Sequence, residues 1–298
     1  IGERLIYMKV WVEQNKKTSL GYWMENMIPV DVSRLNDMQI KGLLHQMEGH
    51  KSTYNILGYA SALESVCKYL DRTNHGRVKA DVGSVIATSE ALSGYTKETV
   101  EKYFNVPVIS RYSNLENGII AQQETTGSGK YLINTASYVV EILKMGSDEQ
   151  AEPGEIGRIV ITDLFNYGMP LIRYDTGDIG VLSPDSSRGG NMYLDKVEGR
   201  KIDALYDTKG NFASGYRLNK FMWQYSEIVQ YQIIQDGPKK FTVRLNVEGN
   251  FIWEAKLIKE FKDALGEDAI ITVEYVSEIP LLSSGKRKSV INNYLHVS

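Results

Sequence analysis

Four short stretches of this chain carry side chains suited to chemistry. The first is Tyr174-Asp175-Thr176-Gly177-Asp178, preceded by Pro170-Leu171-Ile172-Arg173. Its composition predicts a tight turn at a chain reversal, with Gly177 taking a backbone conformation that other residues resist. An ionised aspartate there offers two acceptor oxygens, which suits the paired hydroxyls of a ribose. Taken alone, such a turn reads most simply as a solvated loop. The other three stretches are Tyr112-Ser113-Asn114-Leu115-Glu116, Gly199-Arg200-Lys201-Ile202-Asp203 and Ser284-Gly285-Lys286. On their residues alone, Tyr112 reads as core, Glu116 as a surface charge and Lys286-Arg287-Lys288 as a solvated basic cluster.

Several other chemistries are excluded. Gly127-Ser128-Gly129-Lys130 lacks the first glycine of a phosphate-binding loop, and Tyr131 stands where Ser or Thr must bind magnesium. His45, His50, His75 and His296 show no metal-ligand spacing with one another or with Cys67. No nucleophile–base pattern of the hydrolase kind is legible. A net charge of −3 argues against a nucleic-acid partner, which would call for a basic face. The single cysteine cannot form an internal disulfide, which points to a reducing, cytoplasmic setting. No apolar run reaches the roughly 18 residues of a membrane span.

The elements that must position these stretches follow from periodicity. A strand is expected over Leu5–Val12. From Asn55 onward Ile56, Tyr59, Ala60, Leu63, Val66, Cys67 and Leu70 recur at helical spacing. Val82–Ala87 reads as a buried strand ending in the Thr88-Ser89-Glu90 turn. A helix around Thr99–Phe104 leads to a strand over Val106–Ser110, at whose end the Tyr112 stretch begins. That succession is an α/β layer, in which ligands collect at the carboxyl ends of strands. Thr126–Leu143 reads as a hairpin or meander, 148–157 as a loop and Arg158–Thr162 as the strand that delivers Asp163–Asp178. Beyond Arg200 a helix over Asn219–Glu227, a hairpin around Asp236-Gly237-Pro238, a helix with the stripe Ile252, Ala255, Ile258, Phe261 and Leu265, and a strand over Ile271, Val273 and Tyr275 make a small α+β unit.

In this order the four stretches resemble the adenylate-forming enzymes, the acyl-CoA synthetases and nonribosomal peptide adenylation domains. The resemblance is strongest to the phenylacetate-CoA ligase branch and its CapK-type proteins. It covers residues 50–298 and is most specific beyond residue 160. It implies an α/β and α+β fold in which residues 1–199 form the C-terminal portion of a large AMP-binding domain, with mixed sheets and a small β-barrel-like portion. Residues 200–203 would be a hinge and 204–298 a small α+β lid.

The resemblance also implies roles. Asp178 would bind the ribose 2′- and 3′-hydroxyls, and Tyr112 would stack on adenine, with Ser113 standing where the family has glycine. Ser110 would face the adenine amine, and Glu116 would hold Mg²⁺. Leu115 replaces a threonine whose hydroxyl would touch the α-phosphate. Ser89-Glu90-Ala91 resembles a loop whose backbone lines the nucleotide pocket, and reads equally well as a plain strand-end turn. Arg200 would approach the ribose or phosphates, and Ile202 or Asp203 would pivot. Lys286 would be the adenylating lysine, set against the carboxylate and α-phosphate.

The implied reaction is ATP-dependent activation of a carboxylic acid, followed by thioester formation with CoA. The alternatives are a CapK-like adenylating protein that transfers its acyl group to an amine or alcohol without CoA, or a non-catalytic nucleotide-binding protein. The family's Ser/Thr/Gly-rich loop around the ATP β- and γ-phosphates has no counterpart before residue 89. The chain is therefore expected to be part of a longer one, keeping the adenosine half of the site and incomplete for catalysis by itself.

Overall fold

The computed structural model describes residues 2–125, 129–184, 192–280, 282 and 287–294. The chain divides into two compact units, each built from three stretches of sequence. One holds Ile1–Val140, Thr162–Ile172 and Leu182–Lys196; the other holds Glu141–Ile161, Arg173–Val181 and Val197–Ser298.

The first unit is an α/β layer. Its elements are β1 (Arg4–Lys9), α1 (Ser19–Met24), β2 (Met27–Asp31), α2 (Asp37–Glu48), β3 (Thr53–Tyr59), α3 (Ala60–Arg72), β4 (Asp81–Thr88), α4 (Gly94–Phe104), β5 (Val108–Asn114), β6 (Gly118–Gln123) and β7 (Tyr131–Ile133). The strand order is β2-β1-β3-β4-β5-β6-β7. The first five strands are parallel, and β6 and β7 continue the sheet antiparallel. Alternate residues of β1, β3 and β4 (Ile6 and Met8, Tyr54 and Ile56, Val85 and Ala87) join Leu44, Leu63, Val66, Leu70, Val100 and Phe104 from the helices in one buried core. Burying such a set removes enough apolar surface to offset the ordering of the chain.

The helical reading from Asn55 is corrected here: Ile56 and Tyr59 lie on β3, and the helix begins at Ala60. Thr53–Tyr59 alternates buried and half-buried residues at a period of two, the signature of a strand with one face in the core. A short apolar run joined directly to a helix hides that change of period. Helix α4 starts at Gly94, earlier than expected, because the Ser93 hydroxyl accepts the Thr96 N–H at 3.1 Å and caps it. Strand β5 runs on through Asn114, so Tyr112 and Ser113 sit on the strand and not past its end.

In the second unit β8 (Tyr138–Leu143, which begins in the first unit), β9 (Ile156–Asp163) and β10 (Tyr174–Leu182) are neighbours in the order β10-β9-β8. Gly157 is where β9 comes close to its neighbour: a Cβ there would lie 2.2 Å from the Leu143 carbonyl oxygen, a distance no side chain tolerates. The strands form open sheets, and the barrel-like portion expected from the resemblance is not a closed barrel among the described residues.

After β11 (Tyr193–Arg200) come the paired β12 (Leu205–Tyr206) and β13 (Phe212–Ala213), then α5 (Gly215–Trp223), β14 (Ile228–Gln235), β15 (Lys240–Val247), α6 (Glu254–Leu265), β16 (Ile270–Tyr275) and β17 (Val290–Asn292). The four longer-range strands order as β16-β15-β14-β17, with the β14–β15 hairpin at the centre. Helix α5 begins four residues before the expected Asn219, because the Ser214 hydroxyl caps it through the Arg217 N–H at 3.2 Å, and it ends at Trp223. On α6 the buried stripe is Leu257, Phe261 and Leu265, whereas Ile252 precedes the helix and is 68% exposed. The i, i+4, i+8 set faces the sheet, and Ala255 falls on the opposite side.

Candidate functional site

The Asp175–Asp178 stretch is an irregularity inside one strand, which corrects the expected chain reversal. On β10 Asp175 pairs with Val160 and Ile179 pairs with Arg158, so Thr176, Gly177 and Asp178 all stand opposite Ile159 alone. Within the bulge Gly177 takes a φ of +75°, a conformation that favours glycine. The bulge would orphan the Ile159 carbonyl, and the Thr176 hydroxyl donates to it at 2.9 Å. The Asp178 N–H in turn donates to Thr176 Oγ1 at 3.1 Å, and the Gly177 N–H to Asp175 Oδ1 at 3.0 Å. Asp178 thus rides half-buried on a backbone whose polar groups are tied by its own neighbours.

Asp175 is also held from β9. Arg158, whose side chain is only 12% exposed, donates from Nη1 to Asp175 Oδ2 at 2.6 Å. Its Nη2 reaches Asp148 Oδ1 at 2.9 Å and the Ser147 carbonyl at 2.7 Å, and its Nε the Lys144 carbonyl at 3.1 Å. These carboxylates raise the guanidinium's affinity for its proton still further. Arg173, just before β10, takes a left-handed φ of +49° and pairs with Glu141 at 3.2 Å. Arg158 did not stand out as a partner of this stretch in the sequence, because nothing in the pattern of residues links 158 to 175.

In the first unit the candidate residues gather at the carboxyl ends of two adjacent parallel strands. The register aligns Ala87 with Ser110 and Thr88 with Arg111, so Ser89 and Glu90 follow β4 where Ser110, Tyr112 and Ser113 close β5. Ser110 is buried, with its N–H on Gln123 Oε1 at 3.0 Å, and Tyr112 is 8% exposed. Beyond them Asn114 and Asn117 close a turn, the Asn117 N–H donating to Asn114 Oδ1 at 2.7 Å. That turn puts Leu115 and Glu116 out into solvent. Ser89 takes a φ of +70°, and Glu90 accepts the Ser61 N–H at 2.9 Å. Glu90 therefore caps α3, whose own capping residue Tyr59 provides no side-chain hydrogen bond. The sequence reading valued this loop for its backbone and missed the carboxylate's structural role.

Arg200 is exposed at the end of β11, and Lys201–Asp203 form one 3₁₀ turn. Asp203 Oδ1 forms an ion pair with the Lys288 ammonium at 2.5 Å. Past it the chain is pinned: Asn292 Nδ2 donates to the Ala204 carbonyl at 2.6 Å, and the Tyr206 N–H to the buried Gln235 Oε1 at 2.9 Å. Ser283, Ser284, Gly285 and Lys286 lie outside the described residues, as do Thr126–Ser128 and the Ile202 side chain. Arg287, immediately after Lys286, donates to the Ile279 carbonyl at 2.9 Å and to Glu278 Oε1 at 2.8 Å. Among the described residues no cluster of His, Cys, Asp and Glu could hold a metal as a multidentate site, and no helix is long and apolar enough to cross a membrane. Burial pushes the Cys67 thiol far up and leaves it an inert core residue.

Residues 205–293 match the family model of the CapK C-terminal domain. Over 245 residues the chain is 23% identical to protein CapK of Staphylococcus aureus, an alignment spanning 79% of this chain and 52% of that protein. Among solved structures, 2-hydroxyisobutyryl-CoA ligase in its postadenylation state with R3-HIB-AMP aligns with a TM-score of 0.72 at 14% identity, covering 98% of this chain and 66% of that one. The chain has the fold of the adenylate-forming CoA ligases. The anthranilate CoA ligase AuaEII with anthranoyl-AMP aligns at a TM-score of 0.68 and 15% identity, covering 96% and 58% of the two chains. ATP-bound MatB from Rhodopseudomonas palustris aligns at 0.66 and 14%, covering 96% and 59%. The resemblance read from the four stretches, including its CapK-like character, is met by these likenesses. The chain spans about half the length of the curated relative it matches.

Proposed function

We propose that the protein carrying this chain is an AMP-forming acid ligase. A substrate carboxylate oxygen attacks the ATP α-phosphorus, a Pα–O bond forms, and the bond to pyrophosphate breaks with pyrophosphate leaving. In the second step a thiol, as its thiolate and most simply that of CoA, attacks the acyl carbon. The thioester bond forms and AMP departs.

In this reading Asp178 accepts hydrogen bonds from the ribose hydroxyls, and a carboxylate's two oxygens fit a diol better than an amide's one oxygen. Tyr112 meets the adenine face, Ser113 lies beside it, Ser110 faces the adenine amine, and the Ser89-Glu90 backbone lines the same pocket. Arg200 approaches the ribose or phosphates from the strand end before the Ile202–Asp203 pivot. Lys286 stabilises the charge that develops as pyrophosphate leaves. Glu116 fits a magnesium ligand in that its carboxylate is exposed on a turn and has no ion-pair partner among the described residues. Bound there, the ion would neutralise phosphate charge.

The observation that carries the reading is the β10 bulge, which spends three residues opposite one to present a single half-buried carboxylate. The CapK C-terminal domain match and neighbours that hold acyl-adenylates support it. The acid is open; an aryl acetate such as phenylacetate heads the panel to try, with smaller hydroxy and amino aryl acids beside it. Acid-dependent ATP–pyrophosphate exchange tests the reading. Exchange that requires an added carboxylic acid and is lost in Lys286→Ala is the expected result; ATP cleaved to ADP, or exchange indifferent to Lys286, contradicts it. The CapK likeness favours a second reading at the last step only, in which an amine or alcohol accepts the acyl group. AMP released without CoA, in the presence of such an acceptor, distinguishes it.

A further inference from the structure

We infer that Arg158 and Asp175 form a positioning pair that sets ribose recognition by Asp178, an inference that rests on the reading of Asp178 as the ribose ligand. Neither side chain needs to touch the nucleotide. Asp175 uses its two oxygens for different tasks: Oδ2 takes the Arg158 Nη1 at 2.6 Å, and Oδ1 takes the Gly177 N–H at 3.0 Å. The ion pair therefore fixes the carboxylate that fixes the bulge one residue before Asp178. Thr176 closes the same bulge from the other side, bonding the Ile159 carbonyl at 2.9 Å and the Asp178 N–H at 3.1 Å.

Arg158 is a rigid anchor for this purpose. All three of its guanidinium nitrogens are engaged, and its side chain is 12% exposed, against 39% for Asp175 and 83% for Asp148. Its remaining bonds reach the Lys144 and Ser147 carbonyls, which tie the turn after β8 to the same cation. A bulge left to itself has three loosely specified residues, and Gly177 makes its backbone permissive. An Arg–carboxylate bond across the strand pair removes that freedom. The pair is charged, nearly buried on one side and aimed at backbone, more than an exposed surface pair would need for stability alone.

The test compares binding of AMP and 2′-deoxy-AMP by calorimetry, because their ratio reads the diol contact while cancelling general losses. The chain should prefer AMP by on the order of tenfold, the scale of a hydrogen bond to a charged acceptor. Asp178→Ala should bring that ratio close to one. Arg158→Met and Asp175→Asn should lower the ratio several-fold with the deoxy-nucleotide affinity little changed, and Arg158→Lys should recover part of it. Asp175→Asn keeps Arg158 and its bonds to residues 144–148, so it carries the test if Arg158→Met fails to fold. A ratio that collapses in Asp178→Ala but stays at the wild-type value in Asp175→Asn overturns the positioning role and leaves the ribose reading standing. A ratio unaffected by Asp178→Ala, or absent from the wild type, overturns the ribose reading and the inference together. Equal losses for both nucleotides in Asp175→Asn assign the pair to stability only and also overturn the inference.

Discussion

The Asp178 stretch and the Tyr112 stretch are held in place by opposite means. Around Asp178 the fixing forces are polar: a hydroxyl on an orphaned carbonyl, an aspartate on a glycine N–H and an arginine on that aspartate. Around Tyr112 the fixing force is burial, since the ring is 8% exposed on a parallel strand whose alternate residues Val108 and Ser110 are also buried. A polar scaffold specifies one carboxylate's position and contributes little to global stability. A buried aromatic contributes to both at once. Substitutions in the two stretches should therefore separate function from folding in one case and not in the other.

Substitutions at four positions can break or sharpen that contrast. Tyr112→Ala should have the largest effect, removing about 3–5 kcal/mol of stability, the usual range for a buried aromatic. Denaturant unfolding measures it, and Tyr112→Phe should retain most of the stability. Asp178→Ala should cost AMP affinity by up to about 100-fold, the upper end for a charge-assisted hydrogen bond, while its unfolding midpoint moves much less than that of Tyr112→Ala. If both variants lose stability alike, the contrast fails.

Gly177→Ala should cost about 1–2 kcal/mol, the penalty of a Cβ at positive φ, since the position is otherwise open. Gly177→Asn, at home in that region, should cost less. Leu115→Thr should be the mildest, within about 0.5 kcal/mol in stability because Leu115 is fully exposed. Its added hydroxyl should tighten ATP more than adenosine, which a paired calorimetric titration measures.

Polar scaffolding is also present in the first unit, where it offers a control with a pH signature. Asp71 on α3 accepts from Tyr95 and Tyr103 hydroxyls and from Lys102, each at 2.8 Å. Burial alone would push its carboxyl up, but these three donors outweigh it and hold it below its ordinary 3.8. The stabilisation is therefore full above pH 3.8 and is lost as pH falls through the lower folded value. Unfolding midpoints followed down to roughly pH 2 should show that acid slope in the wild type and a shallower one in Asp71→Asn.

Much of the fold was legible because its signals are local. The buried strand before Ser89, the hairpin around Asp236-Gly237-Pro238 and the Arg158 strand each carry their own periodicity or turn residues. Strand β3 was misread because seven residues that end where a helix begins show period two too briefly. Strands β12, β13 and β17, of two or three residues each, hold no periodic signal at all. In the candidate site the residue types at 175–178 were legible, but the bulge was not, since it exists only in the register of β10 against β9. The same holds for Arg158, which is 17 residues from Asp175 in the chain and a hydrogen bond away in space. Glu90 was noted for its position, whereas its bond to Ser61 depends on how β4 lies beside α3.

The most direct test of the central claim is a calorimetric titration of AMP into this chain and into Asp178→Asn. Saturable binding to the wild type, weakened on the order of tenfold or more when one acceptor oxygen becomes an amide nitrogen, is the predicted result. Equal affinity in the two proteins would contradict the assignment of Asp178 as the ribose ligand.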